Sequence, residues 1–211
     1  MGLPPDDVVI AALRAGDDEM FAALLDTWSR GMLRVARTYV STNDSAEEVV
    51  QDTWLAVISG IDGFEGRSSV KTWVYRILVN AAKKRGLRES RTLPWSSAFG
   101  ASNAPVDGAS PFTGPDDALP GRWKELPAAW PAPEGEALAA EMRGQIATAL
   151  AALPARQRIV ITLRDVEGCT PAEVCAILDI TAANQRVLLH RARAFVRGRL
   201  EDYFETVRRS A

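Results

Sequence analysis

The chain has 211 residues, 47% of them hydrophobic, and a formal net charge of -2, which is enough apolar material to close one domain of ordinary size or two small ones. No run of about 18 uninterrupted apolar residues occurs, and the N-terminus, MGLPPDDVVIAAL, starts acidic, so neither a membrane span nor a secretory signal is expected and the protein should stay in the cytoplasm. Two cysteines, Cys169 and Cys175, with a single histidine, His190, do not supply the four soft ligands of a structural zinc site, and both thiols are expected to pack.

Apolar positions recur at helical spacing over residues 6–14, 17–39, 45–58 and 70–88, and no alternating strand pattern competes. Four helices therefore make a first domain, residues 1–94. Ser45 and Glu48 fit a capping box for the third helix, and Gly60, Gly63 and Gly66 punctuate the loop that follows it. Charge is segregated here. Residues 44–65 hold six acidic side chains and no lysine or arginine, whereas residues 67–94 hold eight basic side chains and one acidic, Glu89. Adjacent blocks of opposite sign point to two different partners.

Residues 95–135 change texture: seven of the twelve prolines, five glycines and eight alanines fall here, and the helical period is lost. This reads as a linker between two domains, spanning roughly 35 Å as a random chain. It is acidic (Asp107, Asp116, Asp117, Glu125 and Glu134 against Arg122 and Lys124), and Trp95, Phe112, Trp123 and Trp130 suggest that parts of it dock.

The second domain, residues 136–211, is predicted to hold helices over 136–152, 155–165, 171–178 and 182–204, with Pro154 and Gly168 at two of the breaks. Thr170, Pro171 and Glu173 make an N-terminal capping signal, and Thr181 can cap the last helix after a tight break at 179–181. The pair reads as helix-turn-helix with the second helix in the recognition position. Residues 181–199 carry five arginines and the histidine with no acidic side chain. Wound at 100° per residue, Arg186, His190, Arg193 and Arg197 share one stripe flanked by Asn184, Val187 and Arg191, while Leu188, Leu189, Ala192 and Val196 fall opposite. A stretch this basic in an acidic chain expects a polyanion.

No carboxylate cluster of metal-binding spacing, nucleotide-cradling glycine loop or nucleophile and base pairing is present, so no enzymatic activity, no cofactor and no small-molecule substrate is expected. On the residues alone, a stand-alone helix-turn-helix regulator remains open. It leaves the acidic and basic pair of the first domain unexplained.

The segments DSAEEVVQDTWLAVI, FEGRSSVKTWVYRILVNAAKKR and ALAALPARQRIVITLRDVEGCTPAEVCAILDITAANQRVLLHRARAFVR, in that order, resemble the extracytoplasmic-function sigma factors, the two-domain type of the sigma-70 family that keeps regions two and four. The resemblance implies an all-α chain with a four-helix region two (1–94), a long irregular linker (95–135) threading the polymerase cleft, and a helix-turn-helix region four (136–211). It implies docking of Glu47, Glu48, Gln51, Asp52 and Leu55 on the clamp of the largest subunit of core RNA polymerase, with a further contact on the flap. It implies promoter contact at the minus-ten element by Lys71, Trp73, Arg76, Asn80, Lys83 and Lys84, with a flipped base near the loop 64–70. Region four would read the minus-thirty-five element through Asn184, Arg186, Val187 and His190, with Arg191, Arg193 and Arg197 on phosphates. Gln185 stands where valine is typical and Val187-Leu188 where Ser-Arg is typical, so a different promoter hexamer is expected. An anti-sigma factor, often membrane-anchored in the family, is the implied regulator.

Overall fold

The computed structural model describes residues 3–92 and 136–210. Every regular element among them is helical: α1 (Asp6–Ala15), α2 (Asp18–Ala36), α3 (Asn43–Gly60), α4 (Val70–Thr92), α5 (Glu136–Ala151), α6 (Ala155–Ile161), α7 (Pro171–Leu178) and α8 (Ala182–Ser210). A short 3₁₀ turn, Ile61–Gly63, follows α3, and a π-helical turn, Thr162–Val166, follows α6. The all-α expectation holds. The expected linker, with its five aromatic and seven charged residues, lies outside the described residues.

Two compact units form. The first gathers α1–α4 together with residues 162–180, and the second gathers α5, α6 and α8. The sequence boundaries place 162–180 with the last helices, whereas these residues cluster with the first four.

The first unit is built on interleaved apolar stripes. α2 contributes Leu24, Trp28, Met32 and Val35, α3 contributes Ala46, Val49, Val50, Trp54 and Val57, and α4 contributes Val70, Val74, Tyr75, Leu78, Val79 and Ala82, all buried. These positions repeat at three and four residues, the spacing that keeps one face of a helix inward. Trp54 stacks on Trp28 with centroids 6.4 Å apart and meets Phe21 edge-on at 5.5 Å. Truncating a fully buried residue such as Leu78 to alanine should cost about 2–5 kcal/mol.

Helix ends follow local chemistry. Asp17 caps α2 by accepting from the Met20 amide at 3.0 Å. α3 begins two residues before the expected start, because Thr42 is the cap and accepts from the Ser45 amide at 3.1 Å. Ser45 is thus the third helical residue rather than the cap, and Glu48 is released from any capping role. The capping box of α7 forms as expected: the Glu173 amide donates to Thr170 Oγ1 at 3.3 Å, and the Thr170 amide donates to Glu173 Oε2 at 2.7 Å. Asp179, at φ 56°, ends that helix, and the Asn184 amide donates to Thr181 Oγ1 at 3.2 Å to open α8.

In the second unit α5 buries Ala149, α6 buries Ile159, Val160 and Ile161, Leu153 between them is buried too, and α8 buries Gln185, Leu189, Ala192 and Leu200. The expected single helix over 155–165 is broken at Thr162, where the turn widens to π geometry. No described helix is long and apolar enough to cross a membrane. Cys169 is buried and Cys175 half-buried, both as free thiols.

Candidate nucleic-acid interface

The start of α4 is held by residues far away in the chain. The Val70 amide donates to Asp6 Oδ2 of α1 at 2.9 Å, and the Thr72 amide donates to Ser69 Oγ at 3.1 Å, so two of the orphan donors at this helix end are satisfied. From the end of α1, Arg14 donates to the carbonyls of Ile61 at 3.4 Å and Phe64 at 2.9 Å. Between them, Asp6 and Arg14 fix both ends of the loop 64–70, where a flipped base is expected. Sequence reasoning missed both residues. They are separated from their partners by 64 and 50 positions, and no local periodicity betrays such a pair.

Along α4, Arg76, Asn80, Lys84, Leu87, Arg88 and Arg91 are exposed, while Lys71, Trp73, Lys83 and Arg85 are half-buried. The expected stripe of Arg76, Asn80 and Lys83 therefore continues outward through Lys84 rather than Lys83. Leu87, 58% exposed, is an apolar residue inside this basic row that the charge pattern did not single out. Trp73 packs against Phe64, with ring centroids 4.8 Å apart and planes at 37°. It serves the loop as a packing residue and keeps part of its surface in solvent. The Lys71 ammonium donates to the Glu167 carbonyl at 2.7 Å and lies 5.7 Å from the Tyr75 ring centroid.

α3 turns a different face outward. Glu47, Glu48, Gln51, Asp52 and Leu55 are all exposed, and with Ile58 they form one acidic and apolar strip. Leu55 is 63% exposed. One charge of this strip is answered within the protein, since Glu48 lies 2.7 Å from the Arg85 guanidinium of α4. Arg85 also pairs with Glu89 at 3.1 Å, and Glu89 accepts from both the amide and the hydroxyl of Ser41. Partial burial pushes the Glu89 carboxyl up, but hydrogen bonds from Ser45, Ser41 and Arg85 outweigh it and bring it down to about 2.

In α8, Asn184, Arg186 and Arg191 are exposed, and Val187, His190, Arg193 and Arg197 are half-buried on the flank of the same face. Burial, then the Arg191 charge, pushes the His190 imidazole below its ordinary value, so it is neutral near pH 7 and offers one donor and one acceptor. Arg197 is ion-paired with Glu201 one turn on. Gln185 is 2% exposed, and its Nε2 finds no hydrogen-bond partner among the described residues. Its difference from the usual valine is thus a change in the core, not on the reading face. No group of His, Cys, Asp and Glu among the described residues could hold a metal ion.

Comparison with known proteins agrees with this arrangement. Residues 24–92 match the family described as Sigma-70 region 2, and residues 143–196 match Sigma-70, region 4, together more than half of the chain. The chain is similar to the ECF RNA polymerase sigma-E factor of Salmonella typhimurium, with 28% identity over 93% of this chain and 94% of that protein. Its fold resembles that of CnrH, solved with the cytosolic domain of CnrY, at a TM-score of 0.58 and 19% identity over 93% of this chain and 97% of the other. It also resembles the sigma factor RpoE from Bartonella quintana, solved with the anti-sigma factor NepR, at a TM-score of 0.57 and 23% identity over 86% and 96% of the two chains. With both regions matched in order, on helices that carry the acidic strip, the basic row and the arginine-rich helix, the chain belongs to the sigma-70 family as a member of its extracytoplasmic-function type.

Proposed function

We propose that this chain acts in the cytoplasm as a non-enzymatic promoter-specificity subunit, which binds core RNA polymerase, grips promoter DNA at two elements and assists strand opening. The observation that carries this reading is the opposition of α3 and α4, neighbouring helices of one unit that turn an acidic strip and a basic row to solvent. Acidic charge on Glu47, Glu48 and Asp52 repels a phosphate backbone and suits a protein partner, with Gln51 and Leu55 supplying polar and apolar contact to the polymerase clamp. The row of Arg76, Asn80 and Lys84, with Lys71, Trp73 and Lys83 beside it, has the cations that single-stranded DNA needs, and the loop fixed by Asp6 and Arg14 gives an unstacked base somewhere to go.

The second grip is α8. Asn184, Arg186, Val187 and His190 stand where base edges in a major groove are read, and Arg191, Arg193 and Arg197 neutralise phosphates. Control by an anti-sigma protein follows from the likeness to RpoE, which was solved with one.

The test is to mix the purified chain with core RNA polymerase and a promoter library and to sequence the transcript starts. Initiation that depends on both core enzyme and this chain, at sites sharing two spaced elements, is expected. Selection of a duplex site by the chain alone, with no core-dependent initiation, would instead make it a stand-alone helix-turn-helix regulator.

A further inference from the structure

The first unit contains a socket that the assigned roles leave unused. Its occupant is Glu167, whose side chain is only 8% exposed. Arg34 of α2 donates to Oε1 through Nε at 2.9 Å and approaches through Nη2 at 2.8 Å, while the Tyr75 hydroxyl donates to Oε2 at 3.1 Å. Burial, then the neighbouring carboxylate, pushes the Tyr75 phenol up, so it stays a donor at any physiological pH. Gly31 forms the floor: a Cβ built there would fall on the Glu167 carboxylate and the Tyr75 hydroxyl. A glycine inside a helix costs about 1 kcal/mol against alanine, and here its bareness leaves room for the carboxylate.

The segment that presents Glu167 is shaped for the purpose. The π turn sets the Glu167 amide on the Thr162 carbonyl at 2.9 Å, Gly168 follows at φ 68°, and the Cys169 amide returns to the Leu163 carbonyl at 2.9 Å. One turn further, Glu173 accepts from the hydroxyls of Ser69 at 3.2 Å and Thr72 at 3.4 Å at the start of α4 while its other oxygen caps α7. The Glu167 carbonyl meanwhile holds the Lys71 ammonium.

We infer that residues 162–173 form an intramolecular latch, with Glu167 seated in the Gly31, Arg34 and Tyr75 socket, that closes the beginning of α4 against single-stranded DNA until the nucleic acid displaces it. The inference rests on the proposed role of Lys71 at the minus-ten element. With the latch seated, the Lys71 ammonium is half-buried and one of its three donors is spent on the Glu167 carbonyl, so closing the latch competes with presenting that charge fully to a phosphate. A buried carboxylate held by an arginine and a phenol is a strong bond when seated and an exposed, well-hydrated charge when released.

The test uses the full chain with Cys175→Ser, which leaves Cys169, 2% exposed, as the sole thiol. Iodoacetamide alkylation of Cys169 reports opening, and fluorescence anisotropy reports affinity for a random-sequence single-stranded DNA about 12 nucleotides long. Two variants loosen the socket from opposite sides: Glu167→Gln removes the charge, and Gly31→Ala fills the floor while favouring the helix. Both should speed alkylation and tighten DNA binding by roughly ten- to a hundredfold, the range set by one charge-assisted hydrogen bond. Saturating DNA should speed alkylation of the Cys175→Ser parent as well. Unchanged alkylation in both variants overturns the latch, as does faster alkylation without tighter DNA binding, and so does an effect of Glu167→Gln that Gly31→Ala fails to share. Loss of core-dependent initiation in the promoter experiment would sink the sigma assignment while leaving the alkylation result standing, so the two failures are distinguishable.

Discussion

Arg14 Nη2 donates to the Phe64 carbonyl at 2.9 Å, tying the end of α1 to a loop 50 residues away, on which Trp73 also packs. The loop carbonyls would otherwise be left to solvent, and the loop would sample several positions. Arg14→Ala should leave core polymerase binding intact, because α3 is untouched. It should reduce strand opening at a mapped promoter by about tenfold, the order of one hydrogen bond to a charged group. Permanganate reactivity of unpaired thymines in the initiation complex measures it, and an equal loss in core binding would point to a folding defect.

The acidic strip of α3 divides into residues with and without an internal partner. Asp52 and Glu48 are four apart and both exposed, but Glu48 sits 2.7 Å from Arg85. Asp52→Arg should weaken core polymerase binding with little change in stability. Glu48→Arg should do both, since it places two cations together; an exposed pair of this kind contributes only about 0–1 kcal/mol when intact, so the affinity loss should be the larger effect. A polymerase titration beside a urea melt separates the two.

Glu89 makes stability depend on pH. Its carboxyl is held at about 2 in the folded protein against an ordinary 4.5. A depressed folded value means the contribution is fully present above pH 4.5, and is lost as the pH falls toward 2. Glu89→Gln should lower the urea midpoint above pH 5, and the gap to wild type should close as the pH falls below 4. A gap that stays constant with pH would mean that packing, not charge, is what Glu89 supplies.

Most helices were legible because one face of each repeats apolar residues at three and four positions. The short α7 was legible for another reason, the Thr170 and Glu173 box. What stayed hidden has a common cause: it depends on atoms brought together from distant parts of the chain. Asp6 and Arg14 look like ordinary helix-end charges, and Glu167 like a loop residue beside a glycine. The π turn at Thr162 interrupts a sequence whose apolar pattern runs on unbroken. Gln185 was visible only as a departure from the family pattern, and nothing local shows that this polar side chain turns into the core.

Burial makes Gln185 testable. Its Nε2, with no partner among the described residues, carries an unmet desolvation cost of about 1–3 kcal/mol. Gln185→Met keeps the volume and removes the orphan donor, so the thermal midpoint should rise by several degrees while duplex preference at the minus-thirty-five element is unchanged. A changed sequence preference with an unchanged midpoint would mean that Gln185 acts on reading rather than on packing.

Arg186 and Arg191 are both exposed on α8, yet they should fail differently. Arg186 lies in the first turns of the helix, the part that a helix-turn-helix directs at base edges, and a bidentate arginine contact discriminates by about 1–3 kcal/mol. Arg191 lies further along, where the proposed docking brings the helix to the backbone and a cation would mainly release a counterion. Arg186→Ala in the reconstituted holoenzyme should therefore relax preference at one or two base positions of the minus-thirty-five element. Arg191→Ala should weaken all promoters alike and reduce the salt slope by about one. Binding of a promoter library at two salt concentrations reads both quantities in one experiment, and uniform weakening by both variants would mean that neither arginine reads sequence.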